Sequence, residues 1–198
     1  MVVGLLKTIA YLISKPLWFL LFHGRQNIPY ASQGALIIAA NHQTYIDPVW
    51  ISIAVKRPLR YMAFDQGFDW RVIGPLIRYL GAFPVATDGA RARRSMRNAL
   101  DALAEGSALV VFPEGARELA DGKLLPFKTG VVRLALKAGV PIIPVTIRGG
   151  NRIWPQRQTY PRIFRRAEII FHPPLQFEPG DADFEGMTEK LKEIIGAG

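Results

Sequence analysis

The chain has 198 residues, with 25 lysines and arginines against 16 acids, a formal charge of +9 and no cysteine. That length suffices for one domain with a core of its own, and the missing thiols exclude disulfides, a cysteine nucleophile and cysteine-bound metal. The positive surplus favours a polyanionic partner: nucleic acid, an acidic membrane or phosphorylated small molecules.

Val2 to Phe22 is apolar apart from a few polar positions, with Lys7 and Lys15 its only charges. Those lysines and Pro16 cut the run below the ~20 uncharged residues of a spanning helix. A signal peptide would carry its charges first and end in a small-residue cleavage site, and neither feature is present. At about 100° per residue, Lys7, Tyr11, Ser14, Lys15 and Trp18 share one narrow stripe of an otherwise apolar helix. That pattern suits a helix lying in a membrane interface. Residues 1–24 are therefore expected to be a membrane-associating helical segment ahead of a domain covering 25–198.

Strands and helices then alternate. Gly34 to Ala40 reads as a buried strand. Pro48 to Lys56 reads as a helix with Asp47 as its N-cap and Pro48 in its first position. Leu59 to Phe64 is a strand, Trp70 to Leu80 a helix broken by Gly74-Pro75, and Gly81 to Val85 a short strand. Asp88 caps a helix running to Glu105, with Met96, Ala99, Leu100 and Leu103 on its inner face and Gly106 as its stop. Ala108 to Phe112 is a strand, and Thr129 to Lys137 a helix ended by Gly139. Pro141 to Ile147 and Ala167 to Phe171 are strands, and Glu185 to Ile195 is a closing helix. The expected fold is a single α/β domain, a central sheet flanked by helices, preceded by the apolar helical segment.

Two strand ends carry chemistry. Asn41-His42 follow the first long strand, and Asp47 opens the next helix. A loop folding back brings the Asp47 carboxylate to one imidazole nitrogen of His42 and leaves the other as a base. His23 and His172 sit at the ends of apolar runs and read as structural. The second strand end is Phe112-Pro113-Glu114-Gly115-Ala116-Arg117. Gly115 lets backbone amides approach an anion, and Arg117 offers a fork for two phosphate oxygens. Glu114 is expected to hold Arg117 or to accept from a substrate hydroxyl. No serine stands in a G-x-S-x-G elbow, and three scattered histidines give no zinc spacing, which weighs against a serine or metal lipid hydrolase. The basic helix bearing Arg91, Arg93, Arg94 and Arg97 has no interleaved aromatics, which weighs against a nucleic-acid binder. A noncatalytic membrane binder is the remaining alternative class.

These strings resemble the glycerolipid acyltransferases typified by 1-acylglycerol-3-phosphate acyltransferase. The likeness runs from about Gly34 to Gly149. It covers Asn41-His42-x4-Asp47, the FPEG string with Arg117, Leu125-Pro126-Phe127-Lys128-Thr129-Gly130 and Val140 to Val145. The resemblance implies acyl transfer from a thioester, acyl-CoA or acyl carrier protein, to a lysophospholipid hydroxyl, with 1-acylglycerol-3-phosphate giving phosphatidic acid. It implies His42 as base and Asp47 as its orienting partner. Glu114, Gly115 and Arg117 line the acceptor phosphate, with Lys128 nearby. An N-terminal apolar segment docking on the membrane is also implied, and the protein is expected on the cytoplasmic face of a membrane, with no cofactor, no metal and no nucleic-acid partner. One block departs from the family. After Gly81-Ala82-Phe83-Pro84-Val85, where many members continue with an acid and then an arginine, this chain has Ala86 and Thr87. Arg91, nearest the start of the following helix, is the candidate replacement for that arginine. The alternative is an altered acceptor, such as a lyso-aminolipid.

Overall fold

A computed structural model of the chain describes residues 2–71, 73–85, 89–117, 122–155, 158–178, 180 and 183–198. Its seven strands are β1 (Leu21–His23), β2 (Leu36–Ala40), β3 (Leu59–Phe64), β4 (Ala82–Val85), β5 (Ala108–Val111), β6 (Ile142–Arg148) and β7 (Glu168–Phe171). They form one sheet in the order β1-β7-β6-β2-β5-β3-β4. Every pairing is parallel except β6 with β7. The helices are α1 (Val2–Trp18), α2 (Asp47–Ala54), α3 (Ile73–Tyr79), α4 (Gly89–Ala104), α5 (Gly130–Ala138), α6 (Gly150–Ile153) and α7 (Phe184–Ala197).

Parallel strands are covered on both faces and read as continuous apolar runs, and all five residues of β2 are buried. Their side chains alternate between two cores. Leu36, Ile38 and Ala40 join Trp50 and Ile51 of α2 and Trp18 of α1 on one face. Ile37 and Ala39 join Ala99 and Leu103 of α4, Val131 and Leu134 of α5, and Leu191 and Ile195 of α7 on the other. Each fully buried Leu or Ile contributes about 1.5–3 kcal/mol, so the central strands β2, β5 and β6 form a rigid base. β2 and β5 run in register from Leu36 opposite Ala108 to Ala39 opposite Val111. Their carboxyl ends therefore emerge side by side, where parallel α/β sheets build their sites.

The expected α/β architecture is present, with differences at the element ends. The helix expected from Trp70 begins at Ile73, with Gly74-Pro75 in its first turn, where a missing proline N–H costs nothing. The Asp88 cap and the Ala86-Thr87 departure lie outside the described residues. Leu21–His23, inside the N-terminal segment, joins the sheet edge beside β7; three residues give too short a period to be read as a strand.

The polar stripe of α1 turns largely toward the protein. The Lys7 ammonium donates to the carbonyl of Val55 (2.8 Å), and that of Lys15 to Leu20 (3.0 Å). Ser14 is buried, and Trp18 packs edge-on to Trp50 with ring centroids 5.7 Å apart. The apolar face is left outward, with Leu5 61%, Leu12 64% and Ile13 51% exposed. Among the described residues no helix is long and apolar enough to cross a membrane.

Candidate active site

The loop after β2 is built from its own side chains. The amide of Asn41 donates to the carbonyl of Ile147 (3.0 Å) and accepts from its N–H (2.6 Å). This exchange seals the end of β2 to β6. Gln43 Oε1 accepts from the N–H groups of Gly150 (2.9 Å) and Asn151 (3.4 Å). Asp47, fully buried, points back into this loop. Its Oδ2 lies 2.9 Å from Nδ1 of His42 and accepts from the N–H groups of Gln43 (2.6 Å) and Thr44 (2.7 Å). Its Oδ1 accepts from the Thr44 hydroxyl (2.6 Å).

The expected N-cap role of Asp47 is thereby corrected. Asp47 is the first helical residue, Ile46 holds the cap position, and no side chain caps the helix. The carboxylate is committed to the loop, which offers three donors besides the imidazole. Such charge-assisted bonds are among the stronger ones. With Oδ2 on Nδ1, the imidazole is held as the tautomer whose Nε2 is the free base. Pro48, in the first turn of α2, leaves its carbonyl to the Tyr61 hydroxyl (3.3 Å). Burial pushes that phenol far above its usual range, so Tyr61 remains a donor.

The loop after β5 closes the other side. The Phe112 ring stacks on the His42 imidazole, centroids 4.0 Å apart at 18°, and fixes the plane of the ring. Glu114 is buried. One of its oxygens accepts from the His42 N–H and the other from the Leu125 N–H, each at 2.8 Å. It thus clamps the first loop to the 122–128 segment. Gly115 has φ +67°, and a Cβ there would stand 2.7 Å from Nζ of Lys128. The glycine is required for its left-handed backbone, and a Cβ there would push the end of the Lys128 side chain aside. The Lys128 N–H donates to the carbonyl of Pro113 (2.9 Å), which seats that ammonium over the turn. The Arg117 guanidinium lies 3.6 Å above the Tyr45 ring, three residues along from His42. Tyr45 in turn meets Trp70 and Trp154 edge-on at 5.9 and 5.5 Å.

Six of the seven sequence-identified residues thus meet across two adjacent loops: His42, Asp47, Glu114, Gly115, Arg117 and Lys128. Arg91 stands in the first turn of α4, beyond β4, with β3 and β5 between that strand and β2. Gln43, Thr44, Tyr45 and Phe112 were not singled out from the sequence, and Asn41 only as part of the Asn-His-x4-Asp string. All five lie inside the two recognised strings, but apart from Thr44, which bonds to Asp47 of its own string, each has a partner on β6, on α6 or in the other string. A base fixed by a buried carboxylate, beside a glycine turn carrying two cations, can deprotonate a hydroxyl on an anionic molecule.

The family model described as Acyltransferase matches residues 20–148. The chain is 28% identical to the 1-acyl-sn-glycerophosphate (LPA) acyltransferase PlsC of Thermotoga maritima, whose crystal structure superposes with a TM-score of 0.81 over 99% of this chain and 77% of that one. It is 26% identical to a 1-acyl-sn-glycerol-3-phosphate acyltransferase of Bacillus subtilis, covering 87% of this chain and 84% of that protein. A protein of the same name from Chlamydomonas reinhardtii is 30% identical, covering 88% of this chain and 51% of its own length. The chain spans about half the length of several curated relatives it matches, 49% for one from Brassica napus. With the family model spanning most of the domain and the fold superposing throughout, the chain belongs to the acyltransferase family.

Proposed function

We propose that the protein transfers an acyl group from a thioester to the hydroxyl of a phosphate-bearing lysolipid, 1-acylglycerol-3-phosphate in the first instance. The observation that carries this reading is the pairing of the His42–Asp47 contact at 2.9 Å with Arg117 and Lys128 on the adjoining loop. Nε2 of His42 takes the proton as the acceptor oxygen attacks the thioester carbonyl. The tetrahedral oxyanion collapses, the C–S bond breaks, and the imidazolium returns its proton to the departing thiolate. General-base help of this kind contributes ~10²–10⁴ in rate. Asp47 orients the imidazole and stabilises its cation. The Gly115 turn, Arg117 and Lys128 receive the acceptor phosphate, Arg91 adds charge from α4, and Glu114 acts by holding the two loops together.

In the same reading, residues 1–24 associate with the cytoplasmic face of a membrane and residues 25–198 carry the transfer. The lipid contact within the first segment belongs to α1, because its apolar face is outward and Leu21–His23 is paired in the sheet.

Mass spectrometry of products from purified protein given mixed lysolipids, with acyl-CoA or acyl carrier protein as donor, tests the assignment. Phosphatidic acid is the expected product. Thr87→Arg, restoring the family's arginine, should lower the Michaelis constant for lysophosphatidate, and Arg91→Ala should raise it. Preference for a lyso-aminolipid, with no effect of Arg91→Ala, would move the acceptor assignment and leave the transfer chemistry. Release of free fatty acid without transfer would make the protein a hydrolase.

A further inference from the structure

We propose that Arg162–Arg166 (Arg-Ile-Phe-Arg-Arg) is a second contact with an anionic bilayer surface, mounted on the carboxyl end of α1. This rests on the membrane reading above and adds to it the element that supplies the cations.

Three hydrogen bonds fasten the segment to the end of α1. The Phe164 N–H donates to the carbonyl of Leu17 (2.6 Å), the Ala167 N–H to that of Trp18 (2.9 Å), and the Trp18 indole to that of Arg162 (2.9 Å). At this junction stand Phe19 (φ +39°) and Phe164 (φ +56°), the two non-glycine residues with positive φ among those described. A left-handed backbone is unfavourable for any residue with a Cβ. Here it does not serve the core: Phe19 is 50% and Phe164 60% exposed, with their rings 6.4 Å apart and Ile163 exposed beside them. Strain spent on holding two aromatic rings in water suits an apolar medium outside the protein.

Charge decides what that medium is. The lysines of α1 are turned to backbone carbonyls of the protein itself, so its outward apolar face has little cation of its own. Arg162, Arg165 and Arg166 supply it next door. Arg162 reaches Gln158 through Nε (3.0 Å), Arg166 approaches Glu168 (3.7 Å), and all three are exposed. A second copy of this chain would set like charges against one another across a twofold interface, whereas acidic headgroups over acyl chains match both the arginines and the rings. The segment also leads from the site. The Gly150 N–H bonds to Gln43, Trp154 touches Tyr45, and the Arg162 N–H donates to the carbonyl of Ile153 (2.7 Å).

The test is sedimentation of the full chain with vesicles of phosphatidylcholine alone or mixed with phosphatidylglycerol, with thermal unfolding measured alongside. Phe164→Gly suits the positive φ, so its unfolding temperature should hold or rise while binding to mixed vesicles falls about fivefold. Arg165→Glu should weaken binding to mixed vesicles about tenfold and hardly change binding to pure phosphatidylcholine. Parent-like binding by both variants would overturn the role of this segment alone. Failure of the unchanged protein to bind either vesicle would overturn the membrane reading with it. A dimer that dissociates on Phe164→Gly would assign the face to a second copy.

Discussion

The two edges of the parallel sheet both bury charge, with opposite sign. At the carboxyl edge are Asp47 and Glu114, each satisfied by backbone N–H groups. At the amino edge is Arg57, 4% exposed. Its guanidinium donates to the carbonyls of Pro29 (3.4 Å), Tyr30 (3.3 Å), Gly34 and Gly106 (2.8 Å). The connections explain the signs. Loops leaving the carboxyl ends of strands lead into helix starts and have N–H groups to spare, whereas the amino edge offers carbonyls: Gly106 just past α4, Gly34 just past a short 3-10 turn, and Pro29 and Tyr30 of the loop before that turn. Burial pushes the Arg57 guanidinium below its usual range, and among the described residues its hydrogen-bond partners are all carbonyls. The same electrostatic device therefore fastens one edge and, at the other, holds a histidine that has a nitrogen left over.

If only the carboxyl edge does chemistry, His42→Ala should cost ~10²–10⁴ in turnover. The fold should remain, since the loop is held by Asn41, Gln43 and Asp47 rather than by the imidazole. Activity within a factor of ten of the parent, measured on protein with a normal unfolding transition, would remove His42 as base.

Asp47→Asn sharpens the contrast, because here loop and chemistry share one carboxylate. We expect turnover to fall about a hundredfold, since the imidazolium loses its anion. Stability should drop by about 1–2 kcal/mol as charge-assisted bonds become neutral ones. A helix N-cap role alone predicts neither loss, because Asn caps as well as Asp; denaturant unfolding beside turnover separates the two.

Arg57→Met is the converse at the amino edge. It keeps the apolar stem and strips the donors from the carbonyls of Pro29, Tyr30, Gly34 and Gly106, at a cost of about 1–3 kcal/mol. Turnover per folded molecule, assayed below the transition, should be unchanged. A selective loss of turnover would show that the two edges are coupled.

Arg117→Lys should have the smallest effect: about a tenfold rise in the acceptor Michaelis constant, with less change for the thioester. Lysine keeps the charge and loses both the fork and the stacking on Tyr45. A change confined to the thioester constant would transfer Arg117 to the donor side.

The alternation of apolar runs and turn residues determined the α/β class, because a strand buried on both faces and an amphipathic helix leave different periods in the chain. The strings at 41–47 and 112–117 marked the two strand ends, since a polar cluster directly after a buried strand has no packing reason to be there. Three things were decided only by tertiary structure. Glu114 clamps the His42 and Leu125 amides, a pairing across 72 and 11 residues that no local pattern encodes. Asp47 serves the loop rather than the helix, because the folded loop offers its carboxylate four donors and the helix start offers it none. Lys7, Ser14 and Trp18 of the α1 stripe turn toward the protein, Lys7 and Trp18 because the Val55 carbonyl and the Trp50 ring stand where they can reach them. Periodicity separates the faces of a helix, but which face meets the protein depends on what the rest of the chain places beside it.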